Sequence, residues 1–196
     1  MNLPNKLTLL RVILVPVFVA VLTVGGVLPF PWMNIIAAAV FLVTALTDML
    51  DGKIARKYNM VTDFGKFMDP VADKFMIFAA LFTMLAVGEF SYMRIPLLWV
   101  SLVVVFRELA VTSVRMVVSG KASATKLAAN WLGKVKTVSQ IVFVMTSLLE
   151  PVLFGWWSFV SDHHPLTYAT LVFMTVMTVW SGVNYLVGYS KYLSFK

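Results

Sequence analysis

Along the chain, long apolar runs alternate with short polar breaks. Six apolar segments stand out, at residues 11–28, 33–51, 69–88, 95–118, 135–157 and 166–189. Each is near the length of about 20 residues that an α-helix needs to cross a hydrocarbon layer. The breaks have turn chemistry: "GGVLPFPW" at Gly25–Trp32, "GEFSYMR" at Gly88–Arg94 and "SDHHP" at Ser161–Pro165. The pattern predicts an all-α, polytopic membrane protein with six transmembrane helices. No internal repeat or low-complexity segment interrupts it, so residues 1–196 read as one membrane domain. The first segment is read as a spanning helix rather than a cleaved leader, because no small-x-small site follows it before "LPFPW".

Composition agrees with the pattern. The chain is 60% hydrophobic and 13% charged, about half the charge usual in a soluble domain. It has no cysteine, which excludes disulfides. The net charge of +7 favours anionic partners. In a membrane chain without a soluble basic face, these are lipid headgroups and phosphorylated substrates, not nucleic acid. The positive charge is also placed asymmetrically. With six spans both termini share a side, and that side carries fourteen of the Lys and Arg residues, from Lys6 and Arg11 through Lys191 and Lys196, against Arg94 alone on the other. The positive-inside rule therefore predicts cytoplasmic termini. Arg107 is left inside the fourth span.

One stretch departs from the apolar pattern: "TDMLDGKIARKYNMVTDFGKFMDPVADK", Thr47–Lys74. It places four aspartates at the ends of the second and third apolar segments. Asp48, Asp51, Gly52 and Ala55 are spaced i, i+3, i+4, i+7 and share a helix face. Asp69 and Asp73 are i, i+4 on the next helix. Pro70 suits a helix start with Asp69 as its N-cap. A linker of about fifteen residues predicts that the two helices are antiparallel neighbours, so that four carboxylates converge at one rim. Their repulsion calls for hard divalent cations with oxygen ligands, Mg²⁺ or Mn²⁺. Two such ions about 4 Å apart would clamp a phosphoryl group and its leaving oxygen. Gly52, Ala55 and Gly65 leave room for a bulky ligand. The plainer alternative is a solvated loop in which the acids pair with Lys53, Arg56, Lys57, Lys66 and Lys74.

Read with its spacing, the stretch is Asp48-x2-Asp51-Gly52-x2-Ala55-Arg56-x8-Gly65-x3-Asp69-x3-Asp73. It resembles, at every fixed position, the signature of the CDP-alcohol phosphatidyltransferases. The resemblance implies a six-helix membrane enzyme, commonly a homodimer, that moves a phosphatidyl group from a CDP-linked lipid to an alcohol and releases CMP. It implies that Asp48, Asp51 and Asp69 are metal ligands, and that Asp73 completes the two-metal site and acts as general base. It also implies that Gly52, Ala55 and Gly65 border the cytidine pocket and that Arg56 holds the CDP end.

A second set of charges bears on the acceptor alcohol. "FRELAVTSVR" puts Arg107, Glu108 and Arg115 in the fourth span, and "LGKVKT" puts Lys134 and Lys136 at the start of the fifth, where a helix N-terminus favours anions. Arg107, Arg115, Lys134 and Lys136 are the candidate phosphate ligands. Arg107 with Glu108 also reads as a structural buried pair, and the two lysines as residues snorkelling to headgroups. "NKLTLLR", "RELAVTSVR" and "WLGKVKT" together resemble the bacterial branch of the family whose substrates are CDP-diacylglycerol and sn-glycerol 3-phosphate. A myo-inositol phosphate acceptor would need similar charges. Asn5, Thr8 and Arg11 are expected at the nucleotide or acceptor pocket, with Thr8 on the CDP-lipid. A small divalent-cation transporter is the reading from another class, although it would place its carboxylates near mid-bilayer and has no use for the basic cluster. His163 and His164 with Asp162 read as a polar turn in an external loop, more than as a metal site.

Overall fold

The computed structural model describes residues 2–24, 28–58, 62–118 and 131–190, and leaves the side chains of 3, 4, 51–57, 63, 64, 66, 118 and 190 undescribed. Among the described residues there are seven α-helices and one short 3₁₀ segment, with no strand. The helices are α1 (Leu3–Thr23), α2 (Trp32–Lys57), α3 (Asp63–Ala86), α4 (Arg94–Val118), α5 (Trp131–Phe154), α6 (Ser158–His163) and α7 (Pro165–Ser190), with the 3₁₀ segment Gly88–Met93 before α4. All but α6 have 21 to 26 residues, which at 1.5 Å per residue spans a membrane core.

Five stretches are long and apolar enough to cross a membrane: Asn5–Thr23, Trp32–Leu50, Gly88–Val117, Trp131–Phe154 and Pro165–Tyr189. Their outer faces are bare and apolar. Phe106, Trp99 and Val172 are each more than 60% exposed in mid-helix, a surface that only lipid covers comfortably. The chain is a membrane protein. The exception is α3, whose final 18 residues, 69–86, still include Asp69, Asp73 and Lys74.

Packing assigns the helices to two groups. α1 packs against both α2 and α3, whereas α2 and α3 barely touch each other. In the same way α7 packs against both α4 and α5. The groups meet where α2 packs on α5 and α3 on α4. The expectation that α2 and α3 are direct neighbours is thus corrected: α1 occupies the groove between them. Its Val15, Phe18 and Leu22 lie in the main core with Phe41, Met76, Ala80 and Leu81. The small residues Ala37, Ala38, Ala45, Ala72 and Ala80, all buried, permit this close approach.

A second expectation is also corrected. Asp69 is not an N-cap, and α3 begins six residues earlier, at Asp63. Thr62 is the cap, its hydroxyl accepting from the Gly65 N–H at 3.1 Å. The same hydroxyl donates to Asn5 Oδ1 of α1 at 2.9 Å. This tertiary bond anchors the earlier start, and Pro70 falls inside the helix.

At the opposite end, Glu150 of α5 is 2% exposed and caps α7, accepting from the N–H groups of Leu166 (2.8 Å) and Thr167 (2.7 Å). A carboxylate there satisfies two otherwise orphaned donors and sits favourably in the helix dipole. Glu150→Ala is expected to lower stability by about 1–3 kcal/mol, as thermal melts would show. Nearby, His164 adopts a left-handed backbone (φ 45°) and stacks on Tyr92 at 3.8 Å. Desolvation pushes its imidazole below the ordinary range. Among the described residues no three metal-ligating side chains gather here.

Candidate active site

The first half of α1, the last turns of α2 and the first turns of α3 meet at one end of the bundle. Thr8, 1% exposed, donates its hydroxyl to Asp69 Oδ1 at 2.8 Å. One turn further along α1, the Arg11 guanidinium lies 2.6 Å from Asp48 Oδ1. Arg11 is fully buried, while a third of the Asp48 side chain is exposed. A buried guanidinium is tolerated only with a counter-charge, so this pair is a condition of the local fold. Gly65 is buried beside Asp69: a Cβ added there would stand 3.4 Å from Asn5 Oδ1 and 3.8 Å from Asp69 Oδ2. A larger side chain would crowd the carboxylate.

The same end holds the second charge cluster. Glu108 of α4 accepts from Lys136 Nζ of α5 at 2.6 Å and from Arg107 at 2.9 Å, both on Oε1. Glu108 and Lys136 are 8% and 5% exposed. Arg107 also donates to Ser181 of α7 at 3.0 Å. Gly182 makes space for it, since a Cβ there would come within 2.9 Å of Arg107 Cγ. Arg115 donates to the Tyr185 hydroxyl at 3.2 Å and lies over the Tyr185 ring, while Tyr185 stacks on Tyr189. Lys134 is exposed.

Asp73 is within electrostatic range of both clusters, of Asp48 and Arg11 and of Lys136 and Glu108. It is half-buried, as is Asp69. The structure therefore brings together Thr8, Gly65, Asp48 and Asp69, with Asp73 one turn beyond Asp69 and Lys136 within electrostatic range of it. Asp51, Gly52, Ala55 and Arg56 lie on α2, but their side chains are outside the described residues.

The donor set suits a hard divalent cation. It consists of carboxylates, and two of them are already steadied by a partner on one oxygen, Thr8 on Asp69 and Arg11 on Asp48. Among the described residues no three such groups are gathered at ligand distance. Asp51 is the fourth carboxylate of the motif and is not among them.

Sequence reasoning counts Arg11 and Lys136 among the cytoplasmic-side charges and also expects Arg11 at the pocket with Asn5 and Thr8; in the structure both are interior, each held by a carboxylate. It misses Ser181 and Tyr185, which α7 supplies. One signal was available for Arg11: Asn5, Thr8 and Arg11 recur at i, i+3, i+6 on an otherwise apolar helix. Nothing local marked Ser181 or Tyr185.

Residues 1–183 match the profile of the CDP-alcohol phosphatidyltransferase family. The chain is similar to proteins named CDP-diacylglycerol–glycerol-3-phosphate 3-phosphatidyltransferase in several bacteria. That of Bacillus subtilis is 38% identical over 191 residues, covering 91% of this chain and 92% of the relative. That of Salmonella typhimurium is 35% identical over 188 residues, covering 94% and 93%. That of Shigella flexneri is 36% identical with the same coverage.

Proposed function

We propose, since this chain belongs to the CDP-alcohol phosphatidyltransferase family, that it transfers the phosphatidyl group of CDP-diacylglycerol to sn-glycerol 3-phosphate. The products are phosphatidylglycerophosphate and CMP. The observation that carries the reading is the match of residues 1–183 to that family, together with 35–38% identity to relatives named for this reaction over almost the whole chain.

The chemistry follows from the residues. Asp73 accepts the proton of the acceptor hydroxyl. The hydroxyl oxygen forms a bond to the phosphorus that carries the diacylglycerol, and the bond from that phosphorus to the CMP oxygen breaks. Mg²⁺ or Mn²⁺ held by Asp48, Asp51, Asp69 and Asp73 would supply charge neutralisation at the diphosphate. Arg56, with Gly52, Ala55 and Gly65, would hold the CDP-lipid. Arg107, Arg115, Lys134 and Lys136 would hold the acceptor phosphate. Engagement of Arg107 and Lys136 by Glu108 leaves Arg115 and Lys134 as the cluster's more accessible cations.

In this reading α3 is the sixth span. Its Met76, Ile77, Ala80, Leu81 and Met84 are buried in the core, and its charged first turns draw the site to the membrane edge. The termini and the active site face the cytosol, as the bias of basic residues supports. The whole chain forms one domain, and a homodimer is the assembly that the family resemblance implies.

The test is CMP release in detergent with CDP-diacylglycerol and, in turn, glycerol 3-phosphate, inositol phosphate, serine and glycerol. Glycerol 3-phosphate is expected to give the fastest release, and a faster rate with inositol phosphate would move the chain to another acceptor branch. Activity is expected to vanish on chelation and to return with Mg²⁺ or Mn²⁺. Full turnover in chelator would refute the two-metal site. Metal flux without CMP release in proteoliposomes would favour a transporter instead.

A further inference from the structure

Among the described residues, the two halves of the aspartate motif make little direct contact. α2 and α3 barely touch, and α1 lies between them. The described contacts across that gap run through α1: Arg11 to Asp48 at 2.6 Å and Thr8 to Asp69 at 2.8 Å. A third contact, Thr62 to Asn5 at 2.9 Å, ties the start of α3 to the same helix. Asn5, Thr8 and Arg11 are 8%, 1% and 0% exposed, so all three point inward. On a helix, residues at i, i+3 and i+6 form a strip that follows one side through nearly two turns. That strip lies along the seam of the metal motif.

Its chemistry is unequal along its length. Thr8 is a neutral donor to a ligand carboxylate, and such outer partners fix the orientation of the ligand. Arg11 is a permanent cation and cannot deprotonate. Buried beneath Asp48, and acting also on Asp73, it offsets the repulsion among carboxylates before any metal arrives.

We propose that α1 sets the spacing of the two-part metal site, with Thr8 and Arg11 as positioning residues. Thr8 orients Asp69, and Arg11 is the built-in counter-charge that keeps the aspartates assembled while metal is absent. The proposal rests on the reading of the aspartates as a divalent-cation site. It assigns Thr8 to a ligand carboxylate rather than to the CDP-lipid.

The experiment uses purified full-length chain in detergent and needs no turnover. Mn²⁺ binding is read from the EPR signal of the free ion, and thermal unfolding is followed in chelator and in saturating Mn²⁺. Thr8→Val is expected to weaken Mn²⁺ binding by roughly 10–100-fold, and Thr8→Ser to restore it. Arg11→Gln is expected to melt well below wild type in chelator, with most of that gap closing in Mn²⁺, because the metal then supplies the missing charge. An arginine with a merely structural role would lose the same stability in both conditions. That result, together with wild-type Mn²⁺ affinity in Thr8→Val, would overturn the proposal. If Arg11→Gln does not fold, Thr8→Val and Thr8→Ser decide the matter alone by the same affinity criterion. Absence of Mn²⁺ binding in wild type would instead sink the underlying metal reading, an outcome visible before any variant is compared.

Discussion

Asp73→Asn is expected to lower kcat by about 10²–10⁴-fold, the usual yield of a positioned general base, while CDP-diacylglycerol still binds. Asparagine keeps the shape and one oxygen of the side chain but cannot take a proton. Asp73 lies one turn beyond Asp69 on α3, within electrostatic range of the Arg11–Asp48 and Lys136–Glu108 pairs. The nucleotide side of the site is therefore left largely intact by this change. Asp48→Asn is expected to behave differently. It removes the counter-charge of a fully buried arginine, so both CDP-lipid binding and turnover should fall, with stability. The measurement is equilibrium binding of CDP-diacylglycerol beside single-turnover CMP release in each variant. Equal loss of binding in the two variants would mean that Asp73 serves only as a metal ligand and not as the base.

Lys136→Met is expected to be the most disruptive change in the basic cluster, costing about 3–5 kcal/mol of stability. Its ammonium is buried and bonded to Glu108 at 2.6 Å. Removing it leaves a buried carboxylate with Arg107 as its other described cationic partner. Any rise in the KM for glycerol 3-phosphate would then mix lost contact with lost structure. The double variant Glu108→Gln with Lys136→Met, compared with both single changes, separates the two, because the cycle isolates the coupling of this pair while Arg107 keeps its bond to Ser181. Arg115→Ala and Lys134→Ala are cleaner probes, since both side chains are exposed. Each is expected to weaken glycerol 3-phosphate roughly ten- to a hundredfold and to spare CDP-diacylglycerol. The opposite pattern, with the lipid weakened and the acceptor untouched, would assign the cluster to the CDP-lipid.

Much of this protein is legible in its sequence because the relevant physics is local. Apolar runs of membrane length, broken by Gly, Pro and charged turns, dictate helices and a lipid surface without reference to any partner. The spacing from Asp48 to Asp73 puts each aspartate pair on one helix face, because residues at i, i+3 and i+4 share a face whatever lies opposite. Helix ends were less secure. Asp69-Pro70 has the composition of a helix start, yet Thr62 caps α3 because Asn5, fifty-seven positions away, accepts its hydroxyl. Which helices are neighbours was decided only in the tertiary structure. Short linkers argue for sequential pairing, but buried alanines and an inward polar strip let α1 fill the groove between α2 and α3. The partners of the interior charges belong to the same level. Arg11 finds Asp48 and Lys136 finds Glu108 because a buried charge must have a counter-ion, and only packing determines which one is within reach.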